Sequence, residues 1–167
     1  MQASSSITSS AARRGLMRRS LELAQRTVRA LDRFSPVVDV VIRVFIAMVF
    51  FTSGLTKIAS WSTTVSLFEN VYAVPLLAPQ VAAALGTAVE LGFPVLLVLG
   101  LGTRLSAFVL FVFNIIAVIS YPDLGAVGLH DHQTWGLLLL VSLLHGPGSL
   151  SLDHWIARRF ASGALKR

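Results

Sequence analysis

The chain has no cysteine, and that absence removes a broad class of chemistry. Disulfide frameworks, thiol redox motifs, thiolate zinc sites, iron–sulfur clusters and Cys-ligated haem all need a sulfur that is not present. Methionine is nearly as scarce, with three residues at positions 1, 17 and 48 that form no cluster suited to a soft metal such as Cu(I). Charge is also short: 13% of the 167 residues are charged against 54% hydrophobic, an unusual balance for a soluble domain. No intrinsic cofactor is expected, and any redox role must draw on one carried by another molecule. The glycines of "GLGTR" follow an apolar run with no strand before them and no Walker lysine after them, so a phosphate loop is not supported. No nucleophile elbow surrounds a serine, and the basic ends come without a nucleic-acid fold.

What the chain does have is long apolar runs. Four are long enough, or nearly so, to cross a bilayer: about 37–58, 79–100, 104–121 and 132–146. The last is short and is closed by Gly146 and Pro147, so its helix is tilted little or begins earlier, near Gly128. The expected fold is all-α, a polytopic membrane four-helix bundle over residues 35–157. A disordered tail (1–11) and a basic amphipathic helix (12–34) precede it, and a basic cytoplasmic tail (158–167) follows.

Positive charge gathers at the two ends, from Arg13 to Arg33 before the first run and from Arg158 to Arg167 after the last. Cytoplasmic flanks attract Lys and Arg, so both termini are expected inside, which an even number of spans allows. The loops at about 59–78 and 122–131, carrying Glu69, Asp123 and Asp131, then face outward. Within 12–34, Met17, Leu21, Ala24, Val28 and Leu31 recur every three or four residues while the arginines fall largely elsewhere. Such a segment can lie on an anionic inner leaflet, serve as a plain positive-inside flank, or belong to an organelle transit peptide. No apolar core of a secretory signal follows the first arginines before residue 37.

Ionisable side chains inside apolar runs are costly and need a partner or a cavity. Glu90 is the only charge between Val81 and Leu101, and Arg43 occupies a comparable place between Val37 and Ile58. At about 1.5 Å per residue, Arg43 lies roughly 9 Å and Glu90 roughly 15 Å from the inner ends of their spans. A long arginine can bridge that difference, so a buried Arg43–Glu90 pair is expected, with Asn114 at the level of Glu90 completing a network. The pair can be a register device, a quinone headgroup or proton site, or part of a solute path. A second polar group is expected at the outer face, where Lys57 and Asp123 lie near His130, Asp131 and His132. It can be a wet loop, with Lys57 as an interfacial anchor, or a Zn(II) or Cu(II) site. Trp61, Tyr72, Trp135 and Trp155 suit an interfacial aromatic belt.

Arg43, Phe50, Gly54 and Lys57 in "RVFIAMVFFTSGLTK", followed by Glu90, Gly92, Gly100 and Arg104 in "ELGFPVLLVLGLGTR", resemble the DoxX family of small bacterial four-span membrane proteins over about residues 40–155. The resemblance implies an inner-membrane protein related to the small subunits of thiosulfate:quinone oxidoreductase and quinol oxidase systems, often in accessory roles in redox or metal stress. Expected partners are the lipid bilayer, a redox-complex subunit or soluble partner, and, given the small residues of the second span, a second copy of the chain. Three readings stay open: a quinone-linked accessory subunit, a metal-handling protein, and a non-catalytic scaffold.

Overall fold

The computed structural model describes residues 18, 19 and 21–164, and within them every regular element is a helix. The expected tail at 1–11, the start of the amphipathic segment (12–17) and residues 165–167 lie outside the described residues. The chain divides into two compact units, Met1–Pro36 and Val37–Arg167.

In the first unit, residues 21–32 form helix α1, closed by a turn in which Phe34 N–H donates to the Leu31 carbonyl at 2.9 Å. Helix α2 (Ser35–Ala59) carries the chain into the second unit, and Pro36 falls in its first turn, where a missing N–H costs no helical bond. There follow α3 (Trp61–Asn70), α4 (Pro79–Leu99), α5 (Thr103–Ser120), α6 (Gly125–His145) and α7 (Leu152–Ala164).

Among the described residues, three stretches are long and apolar enough to cross a membrane: Leu21–Ala59, Pro79–Leu99 and Thr103–Ser120. The fourth bundle helix, α6, has 21 residues, but His130, Asp131, His132 and Gln133 make its first half polar. It starts at Gly125, before the position read from the sequence, and packs along α5, which also packs on α4.

The core explains why these helices associate. Ile46 and Phe50 of α2, Leu97 of α4, Ala107 and Leu110 of α5 and Leu139 of α6 form one buried cluster. Outward positions stay apolar, with Val41, Phe45, Met48, Leu105, Leu137 and Leu144 all exposed, while Arg43, Glu90 and Asn114 are buried. Polar groups inside and apolar groups outside is the distribution a lipid solvent selects. The chain is a membrane protein.

Two helices were not anticipated. The 59–78 segment, read as a loop, contains α3, whose Thr64 and Phe68 are buried one turn apart. Phe68 packs on Ala82 and Ala83, and the Thr64 hydroxyl donates to the Lys57 carbonyl at 2.9 Å. At ten residues α3 is too short to span a bilayer, so hydropathy gave no sign of it. Helix α7 begins inside the expected bundle domain and runs through most of the expected tail, because it has a structural task at its first turn.

That task is to cap α5. Gly102, the residue before α5, has φ +57° and no side chain to offer. Asp153 of α7 supplies one: Gly102 N–H donates to Oδ1 at 2.9 Å, and Thr103 N–H and Oγ1 donate to Oδ2 at 3.0 and 3.2 Å. In return Asp153 N–H donates to the Gly100 carbonyl at 2.9 Å. Burial opposes ionisation of this carboxyl, but the Thr103 and Gly102 N–H groups, the Thr103 hydroxyl and the charge of Arg43 outweigh it and hold the group below its ordinary value. A depressed carboxylate contributes stability that is complete above its unfolded value and is lost as pH falls through the lower folded value. Asp153→Asn is therefore expected to cost about 1 kcal/mol at neutral pH. Its melting temperature should converge on that of the wild type below about pH 4, as measured by thermal unfolding in detergent across a pH series.

Candidate functional site

The buried acid does not meet the buried arginine. Glu90 pairs with Lys57, whose Nζ donates to both carboxylate oxygens at 2.6 and 2.8 Å and to Ser53 Oγ at 2.9 Å. Ser53 Oγ donates in turn to Glu90 Oε1 at 3.1 Å. Arg43 lies at the other end of the bundle, where Nη2 donates to the Leu150 carbonyl at 2.6 Å and Nε to the Asp39 carbonyl at 3.3 Å. The expected Arg43–Glu90 pair is thus corrected to Lys57–Glu90, and the expected Lys57–Asp123 cluster is not formed: Asp123 is exposed.

The reason is register. The sequence reading placed the inner ends of the first two spans level, at residues 37 and 100. In the structure Gly100 abuts the Arg43 guanidinium, so Arg43 stands level with the very end of α4. Glu90 is ten residues, or about 15 Å, further along the helix. Ten residues beyond Arg43 on α2 is Ser53, the hydroxyl that Glu90 meets, and Lys57 is one turn beyond, near enough for its flexible stem to reach back.

Small residues set this register. A Cβ on Gly54 would sit 2.8 Å from Leu91 Cδ2 and 3.1 Å from Glu90 Cβ, so α2 and α4 meet here only because position 54 has no side chain. Pro94 lies one turn after Glu90 and has no N–H to give the Glu90 carbonyl, which leaves that carbonyl without its usual helical donor.

Asn114 also has a different partner from the one expected. Its Nδ2 donates to the His132 carbonyl at 2.9 Å, and its Oδ1 lies 2.7 Å from His132 Nδ1. With Oδ1 as acceptor, His132 Nδ1 carries the proton and Nε2 keeps a free lone pair. Gly136, one turn on, makes room: its Cβ would lie 3.3 Å from Asn114 Nδ2. His130 and Asp131 are exposed, and the described residues bring no three His, Asp or Glu side chains together.

Lys57, Glu90 and His132 line the same cavity, of about 610 Å³, bounded by α2, α3, α4, α5 and α6. That is within the usual size range of small-molecule sites. Its polar rim also includes Ser53, Ser120, Tyr72 and Tyr121, none of which was singled out as a site residue beforehand. Ser120 Oγ is buried with no hydrogen-bond partner among the described residues. Tyr72 stacks edge-on to Phe68 and Tyr121, with ring centroids 5.0 and 5.4 Å apart. Burial, and behind it Tyr121 and Glu90, push its phenol above the ordinary value, so it remains a protonated donor at neutral pH.

The rest of the wall is apolar. Phe50 packs edge-on to Phe113 and Trp135, and Trp135 to the His132 ring at 4.7 Å. Trp135 and Tyr72 line the cavity, whereas Trp61 and Trp155 are exposed. Leu85, Phe108 and Val112 line the cavity and are exposed, so the wall is not sealed at α4 and α5.

Against this geometry, the family model described as DoxX matches residues 38–122, about half the chain, from the start of α2 to the end of α5. No curated protein and no solved structure matches the chain.

Proposed function

The chain belongs to the DoxX family, and on that premise we propose that it is an accessory membrane subunit of a quinone-linked redox system, holding a quinone-type headgroup in the cavity at Lys57, Glu90 and His132. The observation that carries the reading is a large, mainly apolar and unsealed chamber whose wall also carries several hydrogen-bonding side chains. A ligand with an oxygen-bearing ring and a hydrocarbon tail matches both parts.

Each polar side chain has a place in such a site. Tyr72 Oη and the unpartnered Ser120 Oγ can donate to ring carbonyl oxygens, and His132 Nε2 can accept from a ring hydroxyl. Glu90, held by Lys57 and Ser53, can take or return a proton as the headgroup changes protonation state. In this reading electrons enter and leave through a partner's cofactor; the chain, without cysteine, holds no thiolate-ligated cluster. In this reading the chain sits in a bacterial inner membrane with both termini on the cytoplasmic side, the orientation that its basic ends favour.

Binding of a short-chain quinone analogue to purified protein in mild detergent, followed by quenching of tryptophan fluorescence from Trp135, tests the reading. Val112→Trp fills part of the chamber and is expected to weaken binding by about tenfold or more, or ~1.4 kcal/mol. His132→Ala is expected to weaken it by about fivefold, the value of one hydrogen bond. Unchanged affinity in both variants overturns the reading.

A further inference from the structure

Helix α1 has a use that the cavity does not explain. At about 100° per residue, Arg18, Arg19, Arg26, Arg29 and Arg33 share one sector of about 100° with Glu22, and Leu21, Ala24, Val28 and Leu31 lie across the helix from them. Leu21, Val28 and Leu31 are each more than half exposed. Five arginines stand against two acids, Glu22 and Asp32, so the polar face is strongly positive. A short turn joins α1 to α2, a membrane helix, so the chain holds α1 near the bilayer surface.

We propose that α1 is an interfacial anchor that lies in the headgroup layer of an anionic leaflet, with its apolar face toward the acyl chains and its arginines on lipid phosphates. The charge pattern selects this occupant. A second copy of α1 can cover the apolar face but leaves the arginines without counter-charge, while an anionic lipid surface satisfies the apolar and basic faces together. Arginine suits the polar side because its fork can bond phosphate oxygens two at a time while its stem covers apolar surface. This inference is independent of the cavity and of any ligand in it.

The absence of cysteine makes the test direct. Val28→Cys, Leu31→Cys, Glu22→Cys and Arg29→Cys are made singly in the full chain, labelled with an environment-sensitive fluorophore and reconstituted into vesicles of phosphatidylcholine with or without phosphatidylglycerol. In anionic vesicles, labels at 28 and 31 are expected to be shielded from an aqueous quencher and those at 22 and 29 exposed. Replacing arginines of the face with glutamine should lower the interfacial partition of α1 roughly fivefold per residue. The melting temperature of the bundle, a separate compact unit, should be unchanged. The proposal is overturned if 28 and 31 are as accessible as 29 in anionic vesicles. It is equally overturned if shielding is the same without phosphatidylglycerol, or if it rises with the protein-to-lipid ratio, the mark of contact between copies.

Discussion

Lys57→Met is expected to destabilise the bundle by about 3–5 kcal/mol, and adding Glu90→Leu is expected to restore most of the loss. The asymmetry follows from what each change leaves behind. With Lys57 gone, Glu90 keeps only the Ser53 hydroxyl, and its nearly buried carboxylate is left unpaired on a largely apolar cavity wall. Removing both charges leaves an apolar contact of similar volume, which such sites commonly tolerate. Arg43 provides the control. Because its bonds go to the Asp39 and Leu150 carbonyls, Arg43→Met and Glu90→Leu share no partner and should be additive within about 0.5 kcal/mol. Equilibrium unfolding of the single and double variants in detergent micelles measures both cycles. Strong coupling of Glu90 to Arg43, with none to Lys57, would sink the assignment of the pair.

The helices that carry this site were legible in the sequence because lipid imposes a length and an apolarity that hydropathy reads directly. Glu90 announced itself the same way, as a lone charge in an apolar run. Its partner did not, because pairing depends on the axial offset of α2 and α4, and that offset is set by contacts scattered along the chain. Gly54 admits Leu91, Gly100 admits Arg43, and the segment from Gly146 to Ser151 folds under the bundle so that Leu150 can accept from Arg43. Counting residues from the ends of apolar runs treats those ends as coplanar, and here they are not. The one available sign was the four-residue spacing of Ser53 and Lys57, which puts a hydroxyl and an ammonium on the same face as Gly54. Ser120 and Tyr121 carried no such sign, since they stand at the end of an apolar segment where a polar residue is ordinary, and Tyr72 lies in the stretch read as a loop.

Gly100→Ala is expected to cost about 3 kcal/mol or more, and Gly92→Ala, in the same helix, to gain about 1 kcal/mol. Both glycines belong to the stretch on which the family resemblance rests, so the sequence alone treats them alike. Gly92 is exposed within α4 and a Cβ there would meet nothing within 4 Å, so alanine adds helix propensity and no collision. Gly100 ends α4 at φ +67°, a conformation that disfavours any side chain, and its Cβ would overlap the Arg43 guanidinium and lie 2.9 Å from Ser151 Cα. Backbone cannot yield as a side-chain tip can. The collision would push apart the junction through which Leu150 holds Arg43 and Asp153 caps α5, so α2, α5 and α7 lose contacts together. The loss in Gly100→Ala should therefore include part of the acid sensitivity supplied by Asp153: its stability should fall less than that of the wild type as pH is lowered from neutral to well below about pH 4. Thermal unfolding of the two variants at both pH values separates a local strain, which would leave the pH dependence intact, from disruption of the whole junction.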